Sequence, residues 1–187
     1  MSSSALLSAK RFSLSSALWS LGLIGGFALL TALASHVRFY LPFTPVPITL
    51  QTMVVVMAGA FLGANRGFLS MAALILAGSL GVAVFTTSTS VLLGATGGYI
   101  FGFALAAYVA GAAAEKGAFT SFAMTYIWLL TISLFILVPG MIWLKTFLNL
   151  TWTQAFQMGF APFVLGDLVK TAGATAAVWG FQKWRKA

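Results

Sequence analysis

Apolar runs of roughly bilayer-crossing length recur along the chain, separated by short breaks. They occupy about residues 17–37, 50–63, 68–84, 92–114, 119–144 and 162–179. A spanning helix needs about 20 apolar residues, so the second run is short and the fifth is long enough to tilt or kink at Pro139-Gly140. The pattern predicts an all-α integral membrane domain of six transmembrane helices over 17–183. A Ser-rich cytoplasmic segment, 1–16, precedes it, and a basic cytoplasmic tail, 184–187, follows. The first run also has the look of a signal peptide, with Lys10 and Arg11 as the charged region and Ala32-Leu33-Ala34 as a small-x-small site.

The breaks differ in character. Residues 38–49 carry Pro42, Pro45 and Pro47, which forbid a regular helix and favour a stiff, extended connection. It either folds back over a pocket as a lid or lies at the headgroup level as a plain connector. Residues 86–90 form an uncharged hydroxyl cluster, Thr-Thr-Ser-Thr-Ser. Gly94, Gly97, Gly98 and Gly102 mark a stretch where another backbone or a ligand can come close. No Lys-Ser/Thr follows these glycines, so they are not a P-loop, and nothing in the chain points to ATP hydrolysis by that chemistry. Residues 145–160 read as a polar, aromatic connection containing Trp152 and Gln154.

Composition narrows the class. Of 187 residues, 60% are hydrophobic and 6% charged, with mean hydropathy +1.02, too few charges to cover a soluble domain. The net charge of +8 sits in short clusters between apolar runs instead of one basic stripe, which argues against nucleic acid. There is no cysteine and His36 is the only histidine, so a metal site and a Ser-His-Asp triad both lack their parts. Lys10, Arg11, Arg66, Lys116, Lys183, Arg185 and Lys186 fall on the side of the termini; Arg38 and Lys145 fall on the other. The positive-inside rule then puts both termini in the cytoplasm.

The chain has only two acids, and one of them, Asp167, lies inside an apolar run with Lys170 three residues on. Residues three apart share a helix face. An ionised residue in a span costs about 2.5–3.5 kcal/mol on the insertion scale. The pair is therefore either an internal tie between helices or a polar recognition point. With both termini inside, the proline segment, the hydroxyl cluster and this pair converge on one outward-facing pocket.

The strings Pro42-Phe43-Thr44-Pro45-Val46-Pro47-Ile48-Thr49-Leu50-Gln51-Thr52, Gly81-x-x-Val84-Phe85, Gly94-x-Thr96-Gly97-Gly98-Tyr99 and Gly166-Asp167-Leu168-x-Lys170 resemble, in order and spacing, those of the BioY family. BioY proteins are biotin-specific substrate-binding (S) components of energy-coupling factor (ECF) transporters. The resemblance implies a six-helix S-component fold with a proline-rich outer loop in the bacterial cytoplasmic membrane, in contact with membrane lipid. It implies high-affinity biotin binding and uptake by a non-catalytic subunit without a cofactor. ATP hydrolysis would then belong to partners, a transmembrane T component and two ABC ATPases.

Carried over residue by residue, the resemblance puts Asp167 and Lys170 on the urea head of biotin. It adds Thr87, Tyr99, Phe43 and Gln51 to the substrate site, and it makes the small-residue face of Ala28 and Ala32 the T-component contact. Thr87 stands where relatives carry an amide, a departure that puts that contact in doubt. Ala83 and Ala95 stand where relatives often have proline. An S component for another small vitamin, or a solitary or proton-coupled vitamin carrier, remains the alternative.

Overall fold

A computed structural model describes residues 14–80 and 93–185. The element order is α1 (Leu14–Ala34), β1 (Arg38–Phe39), β2 (Ile48–Thr49), α2 (Gln51–Leu62), α3 (Ala64–Ser79), α4 (Gly97–Glu115), α5 (Phe122–Leu148), α6 (Trp152–Gly159) and α7 (Ala161–Trp184). Three of these, in α1, α4 and α5, are long and apolar enough to cross a membrane. Thr87, the rest of the hydroxyl cluster and the Gly81-x-x-Val84-Phe85 string lie outside the described residues.

α4 is the centre of the bundle. It is 67% buried along its span, against 17% for α1, and it packs on α2, α3 and α5. Its Gly/Ala composition permits this. A Cβ at Gly111 would run into the backbone of Gly63 and Ala64, and one at Gly59 into the carbonyl of Ala107. Three helix backbones therefore meet almost without side chains between them. Glu115, at the end of α4, accepts a hydrogen bond from the Ala64 N–H at 2.9 Å. That carboxylate meets one of the otherwise unpaired N–H groups at the start of α3. α3 consequently begins at Ala64, immediately after Gly63 (φ 84°).

The proline segment folds into a hairpin. Arg38 pairs with Thr49 and Phe39 with Ile48, antiparallel. Within the loop, the Thr44 hydroxyl accepts from the Val46 N–H at 3.2 Å. Thr44 and Val46 are buried by that arrangement and Phe43 is turned out, 55% exposed.

α5 runs unbroken through Pro139 to Leu148 and ends on Asn149 in the left-handed region (φ 54°). The expected polar connection then turns out to contain a helix, α6. Thr151 and Gln154 form a capping box: the Thr151 hydroxyl accepts from the Gln154 N–H, and the Gln154 side chain accepts from the Thr151 N–H. α7 follows with Pro162 in its first turn, where the missing N–H costs nothing.

Candidate functional site

Beneath the hairpin lies a cavity of about 360 Å³, enclosed by the hairpin strands, the first turn of α2, residues 94–103, α5 and α7. Its size falls within the range of small-molecule sites. Among its lining residues are Arg38, Gln51, Thr52, Tyr99, Asp167 and Lys170.

The polar end is built on α7. Asp167 is fully buried, and Lys170 reaches its Oδ1 at 2.6 Å. The Thr52 hydroxyl donates to the same oxygen at 3.1 Å, and the Ser133 hydroxyl of α5 donates to Oδ2 at 2.9 Å. The Lys170 ammonium also donates to the Thr52 hydroxyl at 2.7 Å and to the Thr49 carbonyl at 3.0 Å. A buried ion pair is tolerable only when its remaining lone pairs and protons are satisfied. Here α2, α5, α7 and the hairpin all contribute to that end.

The apolar wall depends on one glycine. The Tyr99 ring lies against Gly140, where any Cβ would collide with it, and 6.0 Å from the Phe163 ring centroid. The Tyr99 hydroxyl donates to the Gly159 carbonyl at 2.6 Å, tying α4 to the end of α6. The Trp143 indole N–H donates to the Gly94 carbonyl at 2.9 Å, holding the turn that precedes α4. The hairpin contributes a second cation. Arg38 donates from Nε to the Ser35 carbonyl at 3.1 Å and from one terminal nitrogen to the Tyr40 hydroxyl at 2.8 Å.

The profile of the BioY family matches residues 6–187. The chain belongs to the BioY family. It is 35% identical over 155 residues to the probable biotin transporter BioY of Pyrococcus horikoshii, covering 81% of this chain and 89% of that protein. It is 38% identical over 133 residues to the biotin transporter BioY of Thermotoga maritima, covering 70% and 77%. Its fold is similar to the crystal structure of the S-component for biotin from an ECF-type ABC transporter, with a TM-score of 0.82 at 23% identity over 91% of this chain and 94% of that one. Membership in this transporter family, with the spanning helices above, makes the chain a multi-pass membrane protein.

Within this family member, Asp167, Lys170, Tyr99 and Gln51 come together on one cavity. Phe43 does not join them: the Thr44–Val46 contact sends its side chain outward, away from the lining. Ala32 is 4% exposed, and Ala28 packs on the same core, so both face into the bundle. The outward face of α1 instead carries Gly22, Gly25 and Gly26, with no atom of the described residues near enough to touch an added Cβ. Arg38, Thr49, Thr52 and Ser133 also belong to the site. Thr49 and Thr52 lie in the proline string that carries the family resemblance and Arg38 is a lone cation just outside the first apolar run, but none was singled out from the sequence, and Ser133 carries no signal there.

Proposed function

We propose that the chain captures biotin from outside the cell in this cavity and serves as the substrate-binding S component of an ECF-type uptake system. The observation that carries the reading is the buried Asp167–Lys170 pair opening on a mostly apolar cavity, in a chain whose relatives are named biotin transporters. Biotin has a cyclic urea, an apolar thioether ring and a carboxylate tail. Among the described residues Ser133 is the one donor to Asp167 Oδ2, and a carboxylate oxygen accepts more than one, so a urea N–H suits it. The Tyr99 and Phe163 rings form a wall for the thioether ring. The Arg38 guanidinium, with donors beyond the two in use, suits the carboxylate. Thr87 remains a candidate contact from the segment joining α3 and α4.

In this reading α1, α2, α3, α4, α5 and α7 are the six spans. The hairpin is the outer lid and both termini are cytoplasmic, as the distribution of Lys and Arg supports. The subunit itself is non-catalytic. A T component docks on α1, with its open glycine face the better-placed surface and Ala28 and Ala32 supporting it from within. Two ABC ATPases supply the energy.

Equilibrium binding of labelled biotin to the detergent-purified chain tests the proposal. Stoichiometric binding that excess thiamine or riboflavin does not displace is expected. A folded, monodisperse preparation that binds no biotin overturns it.

A further inference from the structure

We propose that α6 is an interfacial helix that seats on phospholipid headgroups at the cavity end of the bundle, with Trp152 and Phe156 dipping into the bilayer and the Lys145 ammonium on a lipid phosphate. The inference is independent of the ligand that the cavity takes.

α6 has three sides. Ala155 and Gly159 are buried and dock it on the bundle. Thr153, Gln154 and Gln157 are exposed on a polar side. Between these two sides lie Trp152 and Phe156, four residues apart on one face and 59% and 48% exposed. The Phe156 ring stacks on Phe160 with centroids 5.3 Å apart. A helix with an apolar strip beside a polar one lies in the plane of the membrane surface, and tryptophan favours that depth because its ring is apolar and its N–H polar.

The position of α6 agrees with that occupant. The Trp143 bond to the Gly94 carbonyl and the Tyr99 bond to the Gly159 carbonyl put the end of α5, the start of α4 and α6 together at the cavity end. α5 has 27 residues, about 40 Å of helix at about 1.5 Å per residue, against a hydrocarbon core of about 30 Å. Its last turn, which carries Lys145, therefore reaches the headgroup region. The Lys145 ammonium lies over the Trp152 ring, 5.0 Å from the centroid. Neither of the chain's two carboxylates neutralises it. Asp167 is paired with Lys170, and Glu115, at the far end of α4, accepts from the Ala64 N–H. A lipid phosphate supplies the missing anion. Because the Gly159 carbonyl holds the Tyr99 hydroxyl, a seated α6 also fixes one wall of the cavity relative to the membrane surface.

The chain has no cysteine, so a single introduced one can carry a nitroxide label on the full chain in phosphatidylcholine vesicles, with or without phosphatidylglycerol. Accessibility to oxygen, which partitions into the acyl region, is compared with accessibility to a water-soluble nickel chelate. The label on Phe156→Cys should lie about 5–10 Å into the headgroup–acyl boundary and favour oxygen. The label on Gln157→Cys should favour the chelate. Should Phe156→Cys fail to fold, Trp152→Cys takes its place with the same expectation. Labels that favour the chelate at both positions overturn the proposal. A Phe156→Cys label shielded from both reagents shows a second copy of the chain on this face, and overturns it too. Adding Lys145→Glu should lift the Phe156→Cys label toward water, and further when phosphatidylglycerol is present. An unchanged depth in Lys145→Glu overturns the phosphate contact.

Discussion

The Lys170 ammonium lies 3.0 Å from the Thr49 carbonyl oxygen while also contacting Asp167. One side chain of α7 thus holds the buried carboxylate and the final strand of the hairpin. Lys170→Met should break both. Removing one partner of a buried pair costs about 3–5 kcal/mol, so biotin binding should fall steeply. Hydrogen exchange of the amides over 38–49 should rise in the same variant. Lys170→Arg should not restore either property, because a planar guanidinium does not reproduce three divergent ammonium bonds. Unchanged exchange in the hairpin of Lys170→Met would show that the Thr49 contact does not hold it.

Asp167→Asn keeps the shape of the side chain and removes its charge. It should leave the fold intact and weaken biotin binding strongly, because an amide cannot accept at both of its ends. Ser133→Ala removes one donor to the same carboxylate and should cost about 1–3 kcal/mol in binding, without altering the cavity wall. Titrations of the two purified variants check this, and wild-type affinity in Asp167→Asn would take that carboxylate out of the site.

These two residues also mark how far the sequence could be read. Asp167 was visible because an ionised group in an apolar run is costly and rare. Ser133 was not, because hydroxyls in membrane helices commonly bond back to their own turn. Thr31 to Phe27 and Thr131 to Ile127 do so here. Nothing in the chain separates those hydroxyls from Ser133, which reaches across to Asp167, and Thr52 stood out only as the end of the proline string. The spacing of Ala28 and Ala32 gave a small-residue face but not which way it turned, since an apolar helix in a membrane has no polar side to orient it. α6 was hidden among aromatics, although its Thr-x-x-Gln cap was in the sequence. The Asp167–Lys170 pair could be read either as a tie between helices or as a recognition point. The geometry gives it the first role outright, joining α7 to α2 and the hairpin, with a cavity beside it for the second.

Gly140 offers a packing test. Its missing side chain is what admits the Tyr99 ring. Gly140→Ala should displace that ring and cost about 1–3 kcal/mol by overpacking, lowering both the thermal midpoint and biotin affinity. Gly25→Ala adds the same methyl where none of the described residues lies near it, and should be neutral or slightly stabilising through helix propensity. Thermal unfolding of the two variants side by side separates packing at the site from a general intolerance of alanine. Equal midpoints would mean that the Tyr99 wall yields freely.

The last prediction separates capture from transport. On α1, Ala32 is buried and Gly26 faces outward, with none of the described residues against it. Close helix association in a membrane requires small residues at the contact, because apolar burial alone gives no preference for protein over lipid. Gly26→Leu should therefore leave biotin binding by the purified chain unchanged, since it touches neither the cavity nor the core. Uptake by cells that also supply a T component and ATPases should fall sharply. Ala32→Leu should instead damage the bundle and lose both activities. Normal uptake by Gly26→Leu would move the docking surface off this face of α1, and loss of binding by the same variant would mean that α1 supports the cavity from a distance.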